Sequence, residues 1–239
     1  MSSEVITQRR WARLAGFLYL FTYVVPISGM AICGRYIVAG SFSETALRVA
    51  SSELAYRLGL SCLLLNAVLC ILLAMSLYVT LKPIDSTLAL FGLLFRLAEN
   101  VLAATFSVLS FVAAKAYTSG SINTVFTSKQ LSSAMTLLNQ ANGIEFNVSM
   151  IFLGIGSAFF FYVFSRSTYI PKLLSLFSLW ACPIFVAVSF AFLCWPGLSS
   201  YLRLGWLPMA LAEVGLGLWL LIKGIDLSQA GSGAPALRL

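Results

Sequence analysis

Six times along the chain, about twenty or more apolar residues follow one another with almost no charge between them. A helix of that length crosses a hydrocarbon core of about 30 Å, and within that core every backbone N–H and C=O must be satisfied internally. The pattern therefore predicts an all-α, polytopic transmembrane bundle with spans at about 14–37, 58–81, 88–114, 143–164, 171–192 and 206–222. Composition agrees: 60% of the 239 residues are hydrophobic, only 10% are charged, and the mean hydropathy is +0.94. A soluble domain of this length needs far more charge on its surface. No polar stretch is long enough for a second domain, so 1–226 reads as one six-helix membrane domain. The Ser-, Gly-, Ala- and Pro-rich stretch 227–239 reads as a disordered tail.

Two connections are long, 39–57 and 115–142, and each carries helical spacing. In the first, Ser43 is a candidate cap for a helix with Leu47, Ala50 and Leu54. In the second, Leu131, Met135 and Leu138 recur behind Thr127 and Ser128. Both read as short amphipathic helices lying in the interface. With six spans both fall on the side opposite the termini.

The net charge of +7 sits mostly at the ends of apolar runs, where it meets lipid headgroups. No basic stripe with interleaved aromatics is present, which speaks against nucleic-acid binding. Lys and Arg near the span ends number eight on the terminus side (Arg9, Arg10, Arg13, Lys82, Arg166, Lys172, Lys223, Arg238). Six lie on the other side (Arg35, Arg48, Arg57, Lys115, Lys129, Arg203). That bias, led by the N-terminal cluster, places both termini in the cytoplasm and the interfacial helices outside.

The chain has no histidine and no CxxC pair, which removes histidine-ligated haem, most zinc sites and histidine acid–base schemes. Its five cysteines lie in or beside apolar runs and read as packing residues. No phosphate-binding loop or nucleophile elbow occurs, and no cofactor or metal is implied.

Charge inside a membrane is costly and so marks candidate sites. Arg96 and Glu99 share one face of the third span, and that face continues through Asn100, Ala103, Ser107 and Ser110. Comparable polar or small rows are Cys62, Asn66 and Cys70 in the second span, and Ala210, Glu213 and Gly217 in the sixth. Such rows face other helices, not lipid. If they converge, the bundle centre collects Asn66, Arg96, Glu99, Asn100 and Glu213, with Arg57, Glu145 and Asn147 at the outer rim. The plain alternative is that these groups are inter-helix glue.

Several stretches resemble the bacterial membrane proteins grouped as domain-of-unknown-function family 4386. They are RLAGFLYL at 13–20, AYRLGL at 55–60, LYVTLKPIDSTLAL at 77–90, FRLAENVLAA at 95–104, the turn at 165–171 and AEVGLGLWLLIKG at 212–224. The resemblance implies a multi-pass bundle in a bacterial plasma membrane and implies no activity. It also implies that Arg57, Arg96, Glu99 and Glu213 are recurrent positions. Where many members carry a histidine before the fourth span, this chain has Gln140 and Asn142, which speaks against a histidine-dependent role.

Three functions follow, each with its own mark. Binding or transport of a lipid or small molecule needs a polar intramembrane pocket, and transport needs a path to both faces. Six spans are few for a transporter, and oligomerisation could supply the missing size. A structural or partner-binding protein needs no cavity. A membrane-embedded acid–base enzyme acting on a prenyl or lipid chain needs a dead-end apolar cavity with carboxyl groups at its base.

Overall fold

The computed structural model describes residues 3–119, 125–195, 197 and 202–226. Seven α-helices account for the described chain: α1 (Ser3–Gly34), α2 (Phe42–Ser51), α3 (Glu53–Leu81), α4 (Ser86–Thr118), α5 (Ser128–Ser165), α6 (Lys172–Cys194) and α7 (Leu207–Ile222). A 3₁₀ turn, Arg203–Trp206, leads into α7. All but α2 are long and apolar enough to cross a membrane, α7 together with the turn that leads into it. The protein is therefore a multi-pass membrane protein, and the six expected spans each fall within one of these helices or within three residues of its ends. The stretch 227–239, expected to be a tail, lies outside the described residues.

The six long helices close a ring in chain order. α1 packs on α3, α3 on α4, α4 on α5, α5 on α6, α6 on α7, and α7 returns to α1. Each long helix crosses in the direction opposite to the one before it, so neighbours around the ring run antiparallel. The start of α1 and the end of α7 therefore meet on one side. There Gln8 donates to the Thr80 carbonyl (2.7 Å) and to the Tyr169 hydroxyl (2.6 Å), and the Asp226 N–H donates to the Tyr169 carbonyl. We call this the terminus side.

Ring closure depends on small residues. A Cβ on Gly16 would stand 2.4 Å from the Leu221 backbone nitrogen and 2.8 Å from the Gly217 carbonyl, so the α1 and α7 backbones touch there. In lipid, where apolar burial does not draw helices together, such close approach supplies the packing.

Local signals explain most boundaries. Asp85 caps α4 by accepting from the Leu88 N–H, and Thr127 caps α5 in a reciprocal box with Gln130. Two expectations need correction. The cap of α2 is Ser41, not Ser43: its Oγ accepts from the Glu44 N–H, while Phe42, Thr45 and Val49 form the buried face. Leu47 (72% exposed) and Leu54 (73%) point away from the protein. The second amphipathic stretch, with Leu131, Met135 and Leu138, is no separate interfacial helix. It forms the first turns of α5, which runs unbroken for 38 residues, because nothing after Thr127 interrupts the helical register.

Candidate functional site

A ring of six helices leaves a central space that side chains must fill, and the two halves of this bundle fill it differently. Toward the terminus side the centre is solid. Phe160, Phe161 and Phe164 of α5, Leu73 and Leu77 of α3, and Leu216 and Leu220 of α7 meet there almost wholly buried. Toward the opposite side the inward positions carry smaller or polar residues: Ala67 and Cys70 on α3, Ala103 and Ser107 on α4, Ser149 on α5 and Ala210 on α7. Short side chains cannot meet across the ring, so a cavity of about 640 Å³ remains.

The sequence rows converge on its floor. Arg96, Glu99 and Asn100 of α4, Asn66 of α3 and Glu213 of α7 all line it. At 1.5 Å of rise per residue, Arg96 lies about 15 Å along α4 from its first residue, near mid-membrane. Arg96 Nη1 stands 2.9 Å from Glu99 Oε2, an ion contact whose angle falls outside that of a hydrogen bond. Both side chains are nearly inaccessible. Arg96 passes α5 beside Gly156, where a Cβ would come within 3.0 Å of its Cγ. Asn100 Nδ2 donates to the Arg96 carbonyl at 2.7 Å.

Glu213, 7% exposed, has no partner on its own helix and takes one from α1: the Tyr23 hydroxyl donates to its Oε2 at 2.8 Å. Tyr23 is a site residue that the sequence reading missed. The signal was there, because Tyr19, Tyr23, Pro26 and Met30 recur at helical spacing on α1 and all line the cavity. The side walls are mainly apolar and aromatic, with Phe106, Phe146, Phe185 and Trp206 among them.

The three residues expected at the rim separate. Glu145 lines the cavity and accepts from Ser149 Oγ at 2.6 Å. Arg57 does not line it and instead pairs with Glu53 at 2.6 Å on the half-exposed start of α3. Asn147 also lies off it, donating to the Gly143 carbonyl within α5. Within the lining, Asn66 Oδ1 and Asn142 Oδ1 are buried acceptors without a hydrogen-bond partner.

A second hollow, of about 280 Å³, lies at the terminus side between Arg9, Arg13, Tyr169, Trp219 and Lys223, with Asp226 at its edge. Burial pushes the Tyr169 phenol pKa up, while the Gln8 hydrogen bond works against that. This hollow is small and lined mainly by basic residues, where the large cavity carries more carboxyl groups than cations.

A family model described as "Domain of unknown function (DUF4386)" matches residues 14–224, most of the chain and every residue of the cavity floor. No curated protein and no solved structure matches.

Proposed function

Because the chain belongs to that family, whose description assigns no activity, we propose a function from the geometry: the protein binds an amphipathic lipid or small molecule in its intramembrane cavity. The observation that carries this reading is the cavity itself, about 640 Å³, with an apolar wall and a polar floor near mid-membrane. That volume falls in the range of small-molecule sites, which are mostly apolar with a few placed polar groups. It also speaks against a purely structural role, whose mark is a filled centre.

The membrane we infer is a bacterial plasma membrane, with the termini cytoplasmic and the cavity in the outer half. Charge bias and family resemblance support that orientation. Transport would require the packed half to open, because Phe160 and its neighbours close the terminus side. The dead end favours a second reading. Glu99, Glu213 and Tyr23 at the base of an apolar cavity are the groups an acid–base enzyme on a prenyl or lipid chain would use.

The test is thermal stability of the detergent-purified full chain, wild type beside Glu213→Gln and Arg96→Gln, against lipids and small metabolites. A compound present at a hundredfold over its Kd adds about 2.7 kcal/mol to the folded state. We expect at least one amphipathic compound to raise the melting temperature of wild type and of neither variant. Equal shifts in all three proteins, or none in any, would remove the cavity from the function. Mass spectrometry of the stabilising compound after incubation separates binding, which leaves it intact, from catalysis.

A further inference from the structure

Charge around the cavity does not balance. Among the described residues its lining carries one cationic side chain, Arg96, against three carboxyl groups, Glu99, Glu145 and Glu213. Glu99 is matched by Arg96. The hydrogen-bond partners of the other two are neutral hydroxyls, Tyr23 for Glu213 and Ser149 for Glu145, and although the Arg96 charge also reaches Glu213, one guanidinium cannot match both Glu99 and Glu213. A carboxyl group within a membrane and without a cationic partner of its own is expensive as an anion, and that cost falls when a further positive charge arrives beside it.

Two independent features point the same way. The unpartnered buried atoms of the lining that belong to neutral side chains include two carbonyl oxygens, Asn66 Oδ1 and Asn142 Oδ1, both hydrogen-bond acceptors with negative partial charge. The walls also carry aromatic side chains, including Tyr23, Phe106, Phe146 and Trp206, and aromatic rings attract cations to their faces. An anionic ligand would meet three carboxyl groups and would have to displace Glu99 from Arg96. A neutral ligand would leave Glu213 and Glu145 as they are.

We infer that the cavity takes an amphipathic organic cation, its apolar body against the aromatic wall and its positive charge beside Glu213. This rests on the cavity being a binding site and specifies the class of ligand. Glu145, nearer the far end of the cavity, meets the cation on its way in. When the carboxyl groups are protonated in the empty protein, the arriving cation displaces a proton, which leaves for solvent. Binding then releases protons and keeps the buried charge constant.

The experiment uses two probes of the same shape and opposite charge, tetraphenylphosphonium and tetraphenylborate, with neutral tetraphenylmethane-type analogues as a third arm. Equilibrium binding is measured on the full chain in nanodiscs of zwitterionic lipid. The proteins are wild type, Glu213→Gln, Ala103→Trp and Glu53→Gln, the last lying on α3 away from the cavity. We expect the phosphonium to bind wild type and Glu53→Gln at least tenfold more tightly than the borate. Glu213→Gln should lose tenfold or more of that affinity. Ala103→Trp, which keeps every charge but occupies the cavity, should lose it as well, and it decides the matter if Glu213→Gln fails to fold. Equal binding of the borate or the neutral analogue, or full phosphonium affinity in a folded Ala103→Trp, overturns the inference. If only neutral or zwitterionic lipids stabilise wild type, the charge inference falls while the cavity remains a binding site. If nothing binds wild type in any arm, both fall.

Discussion

The terminus half and the far half of the bundle are made by the same six helices, yet one is solid and the other hollow. α4 passes through both. In the solid half it presents Ala89, wholly buried, and Gly92, against which Phe160 packs. In the hollow half it presents Ala103, Ser107 and Ser110 to empty space. Small residues therefore play opposite parts within one helix. Where the facing helix carries a phenylalanine, a small residue makes a seat for it. Where the facing helix is also small, the two together make a cavity. Residue size alone does not say which, and the facing partner decides.

The largest test of this contrast is Phe160→Ala. The ring is wholly buried and sits in the solid half against Gly92. Removing it leaves a void in tightly packed surroundings, and aromatic-to-alanine changes of that kind cost roughly 3–5 kcal/mol. The melting temperature in detergent should fall by several degrees or more. No truncation of a wall residue in the hollow half should match it, because the atoms there already border empty space. A wall truncation with an equal effect would mean that the cavity is filled by the protein itself.

A smaller loss is expected at the seam that closes the ring. Gly16→Ala adds one methyl group where the backbone of α7 leaves no room, 2.4 Å from the Leu221 nitrogen, so the two helices must move apart. Overpacking of this sort costs roughly 1–3 kcal/mol. The readout is again the melting temperature, with a second consequence for the site. Tyr23 and Glu213 bridge the same two helices, so a ligand that needs Glu213 should bind Gly16→Ala more weakly than wild type. An unchanged affinity would separate the seam from the site.

Much of this was legible beforehand because it is local. Apolar run length set all six spans, and the three-residue spacing of Arg96 and Glu99 put them on one face, where the structure pairs them. Turn by turn, the cap of α5 at Thr127 was also readable, but its continuation was not. An amphipathic stretch and an apolar stretch joined without a breaker make one long helix, and the sequence changes character there without stopping. Ser41 and Ser43 are equivalent cap candidates by composition. Burial of Phe42 and Thr45 against the bundle selects Ser41, and that is a tertiary fact. The Tyr23–Glu213 hydrogen bond depends on α1 meeting α7 across nearly the whole chain, which no spacing rule reports. Arg57 misled for the opposite reason. Its neighbour Glu53, one turn earlier, satisfies it locally and keeps it from the centre.

The smallest effect is the most discriminating, because it compares one substitution at two places on one helix. Ala89 and Ala103 lie about four turns apart on nearly the same face of α4. Ala89→Leu must force three extra carbons into the solid half and should cost roughly 1–3 kcal/mol. Ala103→Leu puts the same atoms into the cavity, where no side chain needs to move. There the change in stability should stay within about 0.5 kcal/mol of zero, as for substitutions that disturb no packed or paired group. The two variants should therefore differ plainly in melting temperature and reverse their order in ligand affinity. Ala103→Leu shrinks the site and weakens binding, while Ala89→Leu leaves the cavity walls in place. If both destabilise alike, the far half is as well packed as the near half, and the binding reading loses its cavity. If Ala103→Leu is neutral for stability and also for every ligand that stabilises wild type, those ligands bind on the lipid-facing surface and not within the ring.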